Sequence, residues 1–331
     1  MNHMLPSPFD AVPRIGMGCW AIGGPFWAGD DPCGWSGTND AASRAALEAA
    51  WDAGVRLFDT AAVYGTGHSE TLIGEVLRER EAVIVSKIGL EFDAATKQLT
   101  GERFDPAFIA AQVESSRQRL RRDRIDVVLL HPNEASHSEA NGVFDALEEE
   151  RAAGHIGAYG WSTDFPLNVA AQGEREGFVA VQHATNVLMD VPSMAAAADA
   201  HGLAQMVRSP LAMGLLTGKY DGGRTIEADD VRNHSGHFND WFSDRAATPA
   251  HIENIAALRD LLTVGGRTLA QGALGWLLAR SPRMIPVPGA KNAAQSESNA
   301  AAIELGPLPA DTMAEIERVL DRPPEGPPRA R

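Results

Sequence analysis

Cysteine is nearly missing from this chain: its 331 residues contain two, Cys19 and Cys33. Their spacing makes no CxxC motif, and no histidine cluster lies beside them. That argues against a disulfide framework or a metal site and for a reducing, cytoplasmic compartment. Positive charge is also scarce. Lys and Arg number 29 against 44 Asp and Glu, a formal net charge of −15. Such a field repels polyanions, so neither nucleic acid nor anionic membrane is expected as a partner. No apolar run reaches the roughly 18 residues of a membrane-spanning helix. Residues 1–10 hold neither the basic nor the apolar segment of a secretion signal. A glycine fingerprint for dinucleotide binding is absent too, because Gly16, Gly18 and Gly23 do not give GxGxxG.

What is present is an alternation. Short apolar or β-branched runs at 14–19, 55–59, 82–87, 126–131, 156–162, 179–183, 204–209 and 284–287 read as strands. Helical patterns at 41–53, 70–78, 106–120, 142–153, 166–176, 193–200, 269–279 and 294–301 separate or follow them. Eight strand–helix units whose strands are apolar throughout predict a parallel sheet covered on both faces. Without the dinucleotide fingerprint, a closed (β/α)₈ TIM barrel is favoured over an open doubly wound sheet. The expected organisation is one barrel domain over 1–320 and a flexible Pro-rich tail over 321–331. Long loops interrupt the repeat at 23–39, after strand one, and at 211–247, after strand seven, with an extra helix at 251–262. Loops of that length in a compact domain are usually lids or binding segments.

In such a barrel, functional side chains gather at the C-terminal ends of the strands. Strand two ends at Asp59, with Tyr64 five residues on; strand three ends at Lys87; strand four ends at His131. Singly, an Asp after a strand is a turn residue, a Tyr is packing and a His is a satisfied core group. Together, at consecutive strand ends, they form a proton-transfer set. A lysine closing a Val/Ile strand needs a partner, and Asp59 on the adjacent strand is the natural one. The ammonium of Lys87 favours the phenolate of Tyr64, bringing its pKa down towards the useful range. His131 orients a carbonyl oxygen or shares the proton. A carbonyl polarised between phenol and imidazole is open to hydride attack, and the alkoxide then takes the proton of Tyr64.

The chain resembles the aldo-keto reductases from Gly16 to Ala302. The stretches that carry the likeness are Phe58-Asp59-Thr60-Ala61-Ala62-Val63-Tyr64-Gly65 with Gly67-His68-Ser69-Glu70, then Ser86-Lys87 and Leu130-His131. Gly160-Trp161-Ser162-Thr163, Val181-Gln182, the run from Ser209 to Lys219, and Ile285-Pro286-Val287-Pro288-Gly289-Ala290-Lys291 follow in order. The resemblance implies that Asp59, Tyr64, Lys87 and His131 match the catalytic tetrad, with Tyr64 as general acid. It also implies NADPH/NADP+ as cofactor. Ser162 and Gln182 match residues that bind the nicotinamide carboxamide, and Thr163 stands where the family usually has Asn. Arg208 replaces the aromatic residue that commonly stacks on the nicotinamide. Ser209, Pro210, Leu211, Gly214, Leu215, Thr217 and Lys219 look like the segment that crosses the pyrophosphate. Gly289, Lys291, Gln295 and Asn299 resemble the adenosine 2′-phosphate site. Pro132-Asn133 follows His131, where the family often has Trp-Pro-Asp.

For the substrate, a small-molecule carbonyl, the aromatic residues of the loops are the candidates. Trp20, Trp27 and Trp161 are assigned to the pocket, and Trp35 and Trp241 to loop packing. The supply of indole suits a bulky, partly apolar carbonyl or a sugar, and residues 23–27 with 67–70 are similar to the bacterial branch that handles sugars and cyclitols. A second reading is a redox-sensing or regulatory subunit that holds NADPH and turns over slowly. A third, a Schiff-base lyase using Lys87, conflicts with the need for a neutral amine, since Asp59 keeps that amine charged.

Overall fold

The computed structural model describes residues 4–220, 223–233, 241–322 and 325. Eight parallel strands run through it: β1 (Met17–Gly18), β2 (Leu57–Asp59), β3 (Val83–Ile88), β4 (Ile125–Leu130), β5 (Ile156–Ser162), β6 (Phe178–Ala184), β7 (Ala204–Arg208) and β8 (Met284–Pro286). They are ordered β1 to β8 without a crossover, each paired in parallel with the next. The ends meet. Gly16 N donates to Pro286 O at 2.9 Å and Gly18 N to Pro288 O at 3.0 Å. A Cβ at position 18 would sit 2.6 Å from Val287 O, so the seam closes backbone to backbone only with glycine there. The result is a (β/α)₈ barrel.

Helices α1 (Asp40–Asp52), α2 (His68–Leu77), α3 (Pro106–Leu120), α4 (His137–Ala152), α5 (Pro166–Gln172) and α6 (Pro192–Ala200) follow the first six strands. Then come α7 (Pro249–Leu262), α8 (Leu269–Arg280), α9 (Ala293–Ala300), α10 (Ala302–Leu305) and α11 (Ala310–Leu320). Their starts are set by local chemistry. Asp105 accepts from Phe108 N ahead of Pro106 in α3, and Ser136 with Glu139 forms a reciprocal capping box on α4. The last two helices, within the expected domain but outside its repeat, were not anticipated, nor was the pairing of short strands within the loops.

Alternation along each strand splits the core in two. Leu57, Val85, Val127, Leu129, Ala158, Ala180, Ala204, Met206 and Ile285 fill the barrel interior. Phe58, Ile84, Val128, Leu130, Tyr159, Trp161 and Val181 point the other way, into the layer between sheet and helices. This parity decides which residues can reach the barrel mouth.

Of the expected tail, Arg322 donates to the Val187 carbonyl and Glu325 accepts from Ser193 at 2.6 and 2.8 Å. The rest of that segment, apart from Asp321, lies outside the described residues, as do 221–222 and 234–240 of the long loop after β7. No helix among the described residues is long and apolar enough to cross a membrane.

Candidate active site

Counting by twos up each strand from the interior core gives the ring of side chains at the mouth. Asp59 follows Leu57, Lys87 follows Val85, and His131 follows Leu129. Ser162 follows Ala158 and Gly160, Gln182 follows Ala180, and Arg208 follows Met206. The interior is apolar below this ring and polar at it.

Lys87 is the centre. It is 1% exposed, and its ammonium donates to Asp59 Oδ1 at 2.8 Å, Asp59 Oδ2 at 2.9 Å and the Thr60 carbonyl at 2.8 Å. The same nitrogen lies 3.4 Å from Tyr64 Oη. Burial pulls the lysine's pKa down, but Asp59 and Tyr64 outweigh it, and the net shift is upward. Lys87 therefore stays an ammonium at neutral pH, unfit to form a Schiff base.

Tyr64 reaches this cation because the turn after β2 is pinned to β3: Thr60 N bonds Val85 O at 2.8 Å and Ala62 N bonds Lys87 O at 3.0 Å. Behind the turn, the Ser69 hydroxyl meets Thr60 Oγ1 and the Cys19 carbonyl, each at 2.8 Å. The direction of the phenol's shift differs from the sequence-based expectation. Burial raises the Tyr64 pKa more than Lys87 lowers it, with Asp59 adding to the rise, so the phenol is held protonated. That is the state a proton donor needs, and the ammonium at 3.4 Å is placed to stabilise the phenolate once the proton leaves.

His131 stands edge-on to the Tyr64 ring, centroids 5.7 Å apart. Burial, then Lys87 and Arg208, push its pKa well below 6.5. The imidazole is neutral, and its buried Nδ1 has no hydrogen-bond partner among the described residues. An uncharged ring beside a protonated phenol can donate to, or orient, a carbonyl oxygen without competing for its proton.

On the far side of the ring, Gln182 Nε2 donates to Asp59 Oδ1 at 2.8 Å. The amide oxygen of Gln182 and the hydroxyl of Ser162 make no protein hydrogen bond among the described residues. A carboxamide, which needs one acceptor and one donor, fits this pair. Thr163 is a correction. Its hydroxyl donates to Asn133 O at 3.0 Å and accepts from Asn168 Nδ2 at 3.0 Å and Phe165 N at 3.2 Å. With these bonds made, it braces the loop after β4 and has no capacity left for a ligand.

Arg208 is paired with Asp164, a residue that sequence reasoning missed. Asp164 also accepts from Ala184 N at 2.9 Å, so it spans the ends of β5, β6 and β7. The signal was available: an inward cation at a strand end demands a partner, the same logic that joins Lys87 to Asp59. After β7 the backbone is unusual. Ser209, Ala212 and Met213 have φ of 53°, 47° and 53°, values rare for residues with a Cβ. Asn186 Nδ2 holds the Ser209 carbonyl at 3.1 Å, and Thr217 bonds Gly214 O at 2.6 Å. Pro210, Leu211, Leu215 and Lys219 complete this segment.

Beyond β8, Lys291 Nζ donates to the Ser36 carbonyl at 2.9 Å and lies 4.8 Å over the Trp35 ring. Gln295 accepts from Lys291 N at 2.8 Å, and Asn299 bonds Gly289 O at 3.3 Å. A buried carboxylate unnoticed in the sequence, Asp230, is 4.0 Å from Lys291 and is clasped by Arg232 at 2.7 and 2.9 Å. Trp35 and Trp241 are packing residues in the surrounding apolar cluster.

The three indoles assigned to the pocket separate. Trp20 stacks on Tyr64, with centroids 5.8 Å apart and planes at 22°. Trp27 lies in a short strand of the loop after β1, half-buried. Trp161 is a correction: it is 0% exposed, packs on Phe144 in the outer layer and donates to Pro132 O at 2.8 Å. Strand parity turns it away from the ring that Ser162 joins.

A family model described as the aldo/keto reductase family matches residues 14–321. The NADH-specific methylglyoxal reductase of Escherichia coli is 29% identical over 327 residues, covering 93% of this chain and 96% of that protein. Among solved structures, the glycerol dehydrogenase of Gluconobacter oxydans aligns with a TM-score of 0.77 at 26% identity, over 96% of this chain and 95% of that one. An aldo-keto reductase of Klebsiella pneumoniae, in complex with NADPH, aligns with a TM-score of 0.67 at 24% identity, over 95% and 93%. This last likeness is one of fold.

Proposed function

The chain belongs to the aldo/keto reductase family, and we propose that it reduces an aldehyde or ketone to the alcohol with NADPH, Tyr64 giving the proton. The observation that carries this reading is the Lys87 ammonium, clamped on both oxygens of Asp59 and 3.4 Å from Tyr64 Oη. When bound, the nicotinamide cofactor supplies a hydride to the carbonyl carbon. Everything else is the work of this chain's own side chains. Tyr64 and His131 face the carbonyl oxygen, and the phenol's proton passes to that oxygen as the carbon accepts the hydride. Lys87 stabilises the phenolate left behind, and Asp59 keeps Lys87 charged and aimed. Solvent then restores the phenol. Run backwards, the same steps oxidise an alcohol.

Ser162 and Gln182 are the groups that would hold the carboxamide. The turn after β7, with Ser209, Ala212 and Met213 left-handed, is the segment that would meet the pyrophosphate. Lys291, with Arg232 and Lys219 nearby, favours a 2′-phosphate and hence NADPH, the nucleotide bound by the Klebsiella pneumoniae protein. Asp230 works against it and towards NADH, for which the Escherichia coli relative is specific. The paired Arg232 leaves the cations in excess, which is why we favour NADPH. The intact proton-transfer set argues for turnover and against the regulatory-subunit reading. The test is direct: the purified protein with NADPH and a panel of aldehydes and ketones, followed by loss of nicotinamide absorbance. Consumption that depends on a carbonyl is expected. Tight NADPH binding with no turnover on any carbonyl would overturn the assignment.

A further inference from the structure

We infer that Arg208 gives this site a preference for the reduced nicotinamide over the oxidised one, so that the protein holds NADPH and lets NADP+ go. The inference rests on the reductase reading above and adds to it the oxidation state of the cofactor that the site retains.

Asn133, Thr163 and Arg208, three positions at which the sequence departs from the aldo-keto reductase pattern, meet in one network. Thr163 Oγ1 donates to the Asn133 carbonyl at 3.0 Å, and Asn133 Oδ1 accepts from Asp164 N at 2.7 Å. Asp164 Oδ1 accepts from Ala184 N at 2.9 Å, and its other oxygen takes the Arg208 guanidinium. One carboxylate thereby ties together the ends of β5, β6 and β7 and the loop after β4. Arg208 is held by it, yet 27% of its side chain stays exposed, so the cation is fixed in place and open to a ligand.

Its place in the ring sets which part of a ligand it meets. Arg208 stands one inward step above Met206; Met206 pairs in register with Gln182, and Gln182 with Ser162. The guanidinium therefore overlooks the two residues suited to a carboxamide. It also acts on the proton-transfer side of the ring. Burial dominates the pKa shifts there, upward for Tyr64 and downward for His131; after Lys87, the positive field of Arg208 lowers both. A nicotinamide that rests its carboxamide on Ser162 and Gln182, and turns its hydride towards a carbonyl at Tyr64 and His131, lies between these two sets. That position is within the field of Arg208.

The other cation of the ring is matched closely, since Lys87 meets both oxygens of Asp59 at 2.8 and 2.9 Å. Arg208 instead shares Asp164 with the Ala184 N–H, which draws that carboxylate towards the end of β6. Reduced nicotinamide is neutral and electron-rich, and a guanidinium plane can lie against its face. Oxidised nicotinamide is a cation and is repelled. When the hydride passes to the carbonyl carbon and the Tyr64 proton to its oxygen, the alcohol is neutral. The positive charge stays on the nicotinamide, beside a second one on Arg208.

The experiment measures Kd for NADPH and for NADP+ by quenching of tryptophan fluorescence, without any carbonyl present. The two nucleotides differ only in the nicotinamide, so the 2′-phosphate cancels from their ratio. NADPH should bind at least about tenfold more tightly than NADP+. In Arg208→Gln that ratio should fall by about tenfold, because the cation is gone and Asp164 remains. Asp164→Asn is isosteric and can still accept from Ala184 N. It should widen the ratio by about threefold or more, because Arg208 loses its counter-charge. Opposite shifts from the two partners of one ion pair are the signature of charge; a loosened site moves both the same way. If Arg208→Gln does not fold, the native ratio and Asp164→Asn decide. Equal native affinities overturn the inference while leaving a reductase, and so does a ratio that stays unchanged in a variant or moves the same way in both. Binding of neither nucleotide instead overturns the reading beneath it.

Discussion

Among single residues, the proton inventory divides cleanly. Tyr64 is held protonated by burial, Lys87 is held charged by Asp59, and His131 is held neutral. A second buried histidine, His183 on the outward face of β6, is also lowered, chiefly by burial; Gln205, Asp164 and Arg208 are its polar neighbours. These two imidazoles have a measurable cost in acid. Their folded pKa values lie below the unfolded value of 6.5, so above that pH neither state is charged and stability does not change on their account. Below it the unfolded chain takes up protons that the folded chain refuses. Stability should fall by up to about 1.4 kcal/mol per pH unit per histidine until the folded value is reached. Chemical denaturation between pH 7.5 and about 5 checks this. An unchanged midpoint across that window would mean that the folded rings take up protons at the same pH as the unfolded chain. Asp59, Lys87, Tyr64 and His131 were legible in the sequence because each breaks or follows an apolar strand. Asp164 was missed although the inward cation Arg208 called for a partner, and Asp230 was missed because its burial beside Lys291 joins two loops far apart in the chain. Trp161 was misread although its parity was available: it adjoins Ser162, and neighbours on a strand face opposite ways.

Among elements, a second buried charge secures the register between α2, α3 and β3. Glu70 is fully buried, accepts from Ser86 Oγ at 2.5 Å and pairs with Arg119 Nε at 2.7 Å. Ser86 precedes Lys87, and Glu70 follows Ser69, which buttresses the turn carrying Tyr64. Arg119→Met leaves the carboxylate of Glu70 buried without its cation, and should cost about 3 kcal/mol of stability. Urea unfolding measures it; a loss below about 0.5 kcal/mol would show that solvent already shares this pair. The barrel strands and their helices were readable because fully buried parallel strands are apolar throughout and helices keep their own period. The four-stranded sheet joining the loops after β1 and β3 was not. Its strands run from two to five residues with few apolar positions, and their partners come from another loop, so no local period announces them.

For the whole molecule, the fold separates two tasks by depth. A closed apolar interior gives the barrel its stability, and the ring above it places charge and hydrogen-bond donors on rigid strand ends, where small displacements are costly. Loops then add what the strands do not supply: left-handed turns after β7, the meeting of Lys291 with Asp230 and Arg232 between the loops after β8 and β7, and a four-stranded sheet joining the loops after β1 and β3. In the proposed reaction one phenol at the ring's edge, that of Tyr64, delivers the proton of a carbonyl reduction. Tyr64→Phe removes a single oxygen and keeps the ring that packs on Trp20. The measurement is its kcat/KM beside its NADPH affinity, read from tryptophan fluorescence. We expect turnover to fall by about 10²- to 10⁴-fold, with affinity held within about twofold. Native turnover in that variant would contradict the account, because the proton would then come from elsewhere.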